Sequence, residues 1–288
     1  MKILVIGGTG TVGSAVVREL VAQKVEVTVL TRDAARAKAL PAGVSGVVGD
    51  LKSPATVRSV FNGMDGVFLL NVVSPTETHE GLMAVNGMRL GGVRRAVYMS
   101  VQNIEQAPYL PHFGSKLPVE VALRDSGIPT TILRPNNFYQ NDYWFKDALL
   151  GHGVYPQPLG TKGLSRVDVR DIAEAAAIAL TTGKGAGETF VLAGPDELTG
   201  PGTAETWSRV LGKPITYGGD DLEAWEKVSL TYMPDWLVFD FKLMYAFFQE
   251  KGLKATKEEI DHLTKLLGHP PRTFEAFAGE TAGVWKKG

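Results

Sequence analysis

The segment Gly7-Gly8-Thr9-Gly10-Thr11-Val12-Gly13 lies between an apolar run, Lys2 to Ile6, and an amphipathic stretch, Ser14 to Val21. A second alternating run follows, Val25 to Leu30, with Val25, Val27 and Val29 on one face. Strand, glycine turn, helix and strand in that order form a βαβ unit. The glycines divide the physical work between them. One makes the tight turn, one lets backbone amides approach a ligand, and Gly13 lets the helix pack against the strand. The helix N-terminus then offers unpaired N–H groups and partial positive charge to the diphosphate of a dinucleotide. The glycines fit both GxxGxxG and GxGxxG, so spacing alone does not choose a family.

The second strand ends in Thr31-Arg32, where NAD-selective folds place an acidic residue for the ribose 2′-hydroxyl. Arg32 stands 19 residues beyond Gly13 (32 minus 13), where its planar fork can clamp a 2′-phosphate. Arg36 and Lys38 add positive charge nearby, and Asp33 has a helix-capping role available. The expected cofactor is therefore NADP(H) rather than NAD. The competing reading is a solvated arginine at a strand end.

The chain has 288 residues, 44% of them hydrophobic, and a formal net charge of −1. That is enough apolar material for a large core, and the charge balance argues against a nucleic-acid surface. With no cysteine, disulfides, thiolate nucleophiles, iron–sulfur clusters and zinc ribbons are excluded, consistent with a reducing, cytoplasmic setting. The first apolar run is too short for a secretory signal. The five histidines are scattered, with no HExxH, so no metal is expected. GxSxG and GxxxxGK motifs are also missing, which argues against hydrolase and nucleotide triphosphatase readings.

Strand and helix signals alternate through the first half, at 44–48, 54–61, 66–70, 78–90, 95–100, 117–126 and 129–133. Such alternation requires a parallel sheet with right-handed crossovers, an α/β doubly wound (Rossmann) fold with a smaller, mostly helical C-terminal lobe. The expected core is 1–135 with 160–195 returning to it. Residues 136–159 and 196–288 form the substrate-binding lobe, over the sheet's carboxyl edge. Ligands belong at the carboxyl ends of the strands, which offer Asp50-Leu51, Asn71-Val72, Ser100 and Asn136 to Phe138. Asp50 can accept from an adenine amino group with Leu51 on its face, although turns favour the same residues.

The second half reads as a helix-like stretch 142–150, a loop 151–163, an alanine-rich helix after Asp168 and Asp171, a strand 188–192, and helices 204–211, 221–230, 234–250 and 257–267. The run Trp236 to Phe248 is interrupted by Asp240 and Lys242 and is shorter than a membrane span. Trp236, Phe239, Leu243 and Phe247 follow helical spacing and read as core or subunit interface. A sharper reading makes one edge, with Tyr139, Tyr143, Trp144 and Phe145, the wall of an aromatic substrate pocket.

The run His112 to Glu120, the run Ser126 to Phe138, the glycine turn, Arg32 and Val167 to Asp171 together resemble the NmrA-like branch of atypical short-chain dehydrogenases. The resemblance spans nearly the whole chain and is strongest over 1–180. It implies that Lys116 binds the nicotinamide ribose and that Ser100 occupies the place of the catalytic serine. It also implies nucleotide contacts from Gly7, Thr9, Gly10, Thr11, Val12, Gly13, Asp50, Leu51, Asn71, Val72, Asn136 and Phe138. The usual catalytic tyrosine four residues before the lysine is replaced by His112, and none of the eight tyrosines has lysine at +4. His112, Ser100, Tyr109 or water would then handle the proton. A lysine opposes the macrodipole in a helix's first turn, so its position asks for such a role.

The implied activity is NADPH-dependent hydride transfer to a small aromatic or quinone-like acceptor, with no nucleic-acid or membrane partner. Two alternatives stay open: a redox-sensing regulator that binds NADP without turnover, and a tailoring enzyme of isomerase or oxygenase type acting on an aromatic metabolite. Monomer and homo-oligomer are equally compatible with the sequence.

Overall fold

The structure, a computed structural model, describes residues 1–286. In chain order, the first stretch runs β1 (Lys2–Ile6), α1 (Thr11–Ala22), β2 (Glu26–Thr31), α2 (Ala34–Lys38), β3 (Val44–Val48), α3 (Pro54–Ser59), β4 (Gly66–Leu69) and α4 (Glu77–Gly91). It continues with β5 (Ala96–Met99), α5 (Pro111–Gly114), α6 (Leu117–Asp125) and β6 (Thr130–Pro135). A 3₁₀ turn (Tyr139–Phe145) and a π turn (Ala148–His152) precede β7 (Val154–Tyr155), α7 (Val169–Thr182), β8 (Thr189–Leu192), α8 (Gly200–Leu211) and β9 (Thr216–Tyr217). The last helices are α9 (Leu222–Ser229), α10 (Asp235–Lys251), α11 (Lys257–Leu267) and α12 (Phe274–Trp285). Two compact units result. One comprises Met1–Pro135, Val169–Leu192 and His262–His269, the other Asn136–Asp168, Ala193–Asp261 and the residues from Pro270 onward.

The first unit holds a seven-stranded parallel sheet in the order β3-β2-β1-β4-β5-β6-β8. β1 and β4 are buried on both faces, as continuous apolar runs in a parallel sheet should be. Leu4, Ile6, Val67, Leu69 and Tyr98 belong to a core cluster shared with Val57 of α3, Ala84 and Met88 of α4, and Val119 and Leu123 of α6. The alternate positions face α1 and α7, which pack on each other; Leu180 of α7, for example, closes on Gly66 beside Ile3. β3 is an edge strand with Val48 55% exposed. Strand order reverses between β1 and β4, so the connections leaving these strands diverge and open a crevice at their carboxyl ends.

The second unit contains the two-stranded pair β7 and β9 and is otherwise helical. Its polar centre is Arg166, fully buried, whose Nη2 donates to Asp142 Oδ1 at 2.7 Å and to the Phe138 carbonyl at 2.7 Å. Trp207 Nε1 donates to the other Asp142 oxygen at 2.9 Å, and the Arg166 Nε bonds Asn137 Oδ1 at 2.9 Å. Burial works against charge on Arg166, but Asp142 outweighs it and holds the guanidinium above the usual arginine range. In α10 the expected stripe holds in part: Phe247 is buried, whereas Phe239 is 59% and Trp236 38% exposed, and Val238, Tyr245 and Phe248 are buried as well. The expected helix 142–150 is instead the 3₁₀ and π turns, and α12 lies where no helix is expected. Among the described residues no helix is long and apolar enough to cross a membrane.

Candidate functional site

The glycine turn begins at Gly7, whose φ of +80° is the left-handed region that side chains avoid. Gly13 sits where α1 crosses the turn: a Cβ there would lie 2.1 Å from the Gly7 carbonyl oxygen and 2.8 Å from the Gly8 Cα. Gly10 is the N-cap of α1, and no described side chain caps this helix; its first turn also carries no acid. The hydrogen-bond ladder of α1 starts with Ser14 N–H donating to Gly10 O at 2.9 Å, so the amides of Thr11, Val12 and Gly13 precede it. A turn that only glycine can make and a helix end without its own cap together fit a diphosphate.

At the switch point lies a cleft of about 320 Å³, lined by Gly7, Thr9, Arg32, Asp50, Leu51, Asn71 and Val72, all of them residues singled out from sequence. Arg36, Asp33 and Glu80 also line it. Asp33 caps α2, accepting from Ala35 N at 2.7 Å and Arg36 N at 3.2 Å, so its carboxylate is spent on the helix and the mouth keeps two guanidinium groups. Arg36 faces Asp33 at 3.5 Å on the exposed surface, a weak pair. Asp50 accepts from the Lys52 amide at 2.9 Å, and Leu51 is buried beneath it.

Lys116 is buried rather than solvated: it is the N-cap residue of α6, 7% exposed, and its ammonium pairs with Glu77 Oε1 at the start of α4. Thr78 Oγ1 donates to the Ser115 carbonyl at 2.7 Å and ties the two helix starts together. Ser100 is buried and donates to Glu120 Oε1 at 2.5 Å, so its hydroxyl serves a carboxylate in α6 rather than standing open to a substrate. Glu120, in turn, accepts from Arg134 at 2.8 and 3.0 Å and from Arg124 at 2.7 Å, and Arg134 also bonds Glu105 at 2.5 and 2.9 Å. Burial opposes the charge on Arg134, yet its bonds to Glu120 and Glu105 raise its pKa above the usual value. Glu105 keeps a lowered carboxyl pKa because Arg134 overcomes the burial penalty. His112 is half-buried in α5, its ring edge-on to Phe113 at 4.8 Å.

The remaining expected site residues belong to the second unit. Asn136 is buried, donating to Leu253 O at 2.6 Å and accepting from Asn137 N at 2.7 Å, so its amide holds backbone. Phe138 bridges Val167. Tyr139 is fully buried, packed on Phe274 and Phe277 with its hydroxyl on the Arg272 carbonyl, a core position rather than an open wall. Tyr143 packs at a tilt against Phe277, ring centroids 5.6 Å apart, and keeps an exposed edge, and Trp144 is 71% exposed. The structure also gathers Asp171, Glu174 and His269 within 4.8 Å, with His269 hydrogen-bonded to Glu174 at 3.0 Å.

The sequence matches the NmrA-like family profile over residues 1–278. The chain belongs to that family. It is 33% identical to the NAD(P)H azoreductase of Xenophilus azovorans over 98% of this chain and 99% of that protein. It is 27% identical to quinone oxidoreductase 2 of Escherichia coli over 94% of this chain and 96% of that protein. Among solved structures, an NADPH-dependent quinone oxidoreductase of Escherichia coli complexed with NADPH superposes with a TM-score of 0.85 at 24% identity, covering 97% of this chain and 99% of that one. An NmrA-like fold of this length thus carries the cleft described above.

Proposed function

We propose that this protein is an NADPH-dependent reductase that passes hydride to an electron-poor aromatic acceptor, a quinone or an azo compound. The carrying observation is the cleft at the β1/β4 switch point, lined by two arginines and by Gly7 and Thr9 of the turn that leads into the uncapped start of α1. Support also comes from the reductases among its relatives. In this reading the amides of Thr11, Val12 and Gly13 bind the diphosphate, Arg32 with Arg36 grips the 2′-phosphate, and Asp50 with Leu51 holds the adenine. Asn71 and Val72 flank the nucleotide's middle, and Lys116, steadied by Glu77, lies at the nicotinamide end. When bound, the reduced nicotinamide supplies a hydride.

The chain's own contribution is chiefly orientation. Reduction of a quinone takes one hydride and one proton beyond it. Because the Ser100 hydroxyl is engaged by Glu120, that proton falls to His112 or to water. Hydride arrival on an electron-poor acceptor leaves a delocalised anion that needs little acid help, so the missing tyrosine does not forbid turnover. The test is to mix the protein with NADPH and a panel of quinones and azo dyes and to follow nicotinamide absorbance. Oxidation that falls at least about tenfold in Lys116→Ala supports the reading. Tight NADPH binding with no oxidation by any acceptor contradicts it and favours a regulator.

A further inference from the structure

We propose that Asn71, Glu77 and Tyr98 enclose a buried water-binding site behind Lys116, and that this site holds Glu77, and through it Lys116, in place. Among the described residues, four buried side-chain atoms have no hydrogen-bond partner: both amide atoms of Asn71, Oε2 of Glu77 and the hydroxyl of Tyr98. Buried polar atoms are rarely left so, because each has given up its hydration without compensation.

The strand register and the two helices place the three residues near one another. Tyr98 pairs in register with Leu69, both side chains belong to the core cluster beneath α4 and α6, and Asn71 stands two residues beyond Leu69. Glu77 opens α4, and Gly81 follows one turn later on the same face; a Cβ at Gly81 would lie 3.3 Å from Asn71 Oδ1 and 2.5 Å from Val119 of α6. The Tyr98 hydroxyl is pushed well above its ordinary pKa, by burial first and then by the charges of Glu77 and Glu120. The chemistry is complementary as well. Water can donate to Glu77 Oε2 and Asn71 Oδ1 and accept from the Tyr98 hydroxyl and the Asn71 amide, within the two to four bonds a buried water needs.

Glu77 uses one oxygen on the Lys116 ammonium. A water linking its other oxygen to Tyr98 fixes the carboxylate plane and so the ammonium. Tyr98 is therefore a positioning residue: fully buried, it acts on Lys116 only through Glu77. This role, unlike the water site itself, rests on the reading that Lys116 meets the nicotinamide end of the nucleotide.

Three measurements test the proposal, and none needs turnover. In a high-resolution crystal structure of the wild-type protein, a solvent peak is expected about 2.6–3.2 Å from both Tyr98 Oη and Glu77 Oε2. A Tyr98 hydroxyl bonded directly to Glu77, or a dry site, overturns the proposal. In Tyr98→Phe the peak is lost and Tm falls by about 2 °C or more. If the hydroxyl were a true orphan, its removal would raise Tm instead, and that result refutes the site. For the positioning role, calorimetry on Tyr98→Phe compares NADPH with 2′,5′-ADP, which lacks the nicotinamide end. NADPH affinity is expected to weaken by about threefold or more while 2′,5′-ADP stays within about twofold. Equal losses, or none for either, refute the positioning role. Failure of the wild-type protein to bind either nucleotide would instead refute the function proposed above, leaving the crystallographic test of the water intact.

Discussion

Replacing Gly13 by alanine sets helix propensity against packing, and the structure says which prevails. In a helix interior the exchange ordinarily stabilises by about 1 kcal/mol. Here the new methyl would sit 2.1 Å from the Gly7 carbonyl oxygen, 2.6 Å from the Gly7 carbonyl carbon and 2.8 Å from the Gly8 Cα, all backbone. An ordinary contact is about 3.5 Å, so α1 must withdraw from the turn by roughly 1.4 Å. Overpacking of this kind costs about 1–3 kcal/mol, enough to cancel the propensity gain and lower Tm by a few degrees. Binding suffers more, because the same shift moves the amides of Thr11 to Gly13. Losing two charge-assisted hydrogen bonds at about 1.5–3 kcal/mol each weakens NADPH at least about 100-fold. Calorimetric titration and thermal unfolding of Gly13→Ala check both numbers. A variant with raised Tm and NADPH affinity within about threefold of wild type would refute the close-approach reasoning.

Arg32→Ala should weaken NADPH by about 10- to 100-fold and leave NADH within about threefold, since only the former has the 2′-phosphate; equal losses in a titration contradict the clamp. Arg166→Met leaves Asp142 buried without its cation, and urea unfolding should show a loss of about 3–5 kcal/mol. An unchanged midpoint would mean that the buried ion pair contributes nothing net. Alkali should destabilise the fold through its tyrosines. Burial raises the hydroxyl pKa of Tyr98 and Tyr155 and pushes Tyr245 up to about 12, so the folded chain keeps protons that the unfolded chain releases above 10.0. Stability is full below that unfolded value and falls by about 1.4 kcal/mol per pH unit for each such hydroxyl as pH rises toward the folded one. Urea midpoints that are equal at about pH 8 and about pH 11 would contradict this.

What the sequence made legible is what local spacing controls. The glycine turn, the Asp33 cap and the alternation of strands and helices each depend on residues a few positions apart, and the sheet and its crevice follow from them. Long-range pairings were not legible. Glu77 meets Lys116 across 39 positions, Ser100 meets Glu120 across 20, and Arg166 meets Asp142 across 24, and no short motif announces such partners. A lysine at a helix start asked for a cofactor-binding role, but nothing in the sequence pointed to the carboxylate from another helix that pairs with it. The stripe in α10 was legible only in part, at Phe247 but not at Phe239, for a different reason: nearly every position from Trp236 to Phe248 is apolar, so periodicity cannot say which side is covered. In α12, Gly279 and Gly283 dilute the helix signal, and packing of Phe274 and Phe277 against Tyr139 and Trp207 carries it instead.

The most direct test of the central claim is a calorimetric titration of the wild-type protein with NADPH and, separately, with NADH. One site per chain is expected, with NADPH bound at least about tenfold more tightly through the arginines at the mouth of the cleft. Absence of binding heat from both coenzymes, confirmed by the lack of any thermal shift, or NADH bound as tightly as NADPH, would contradict it.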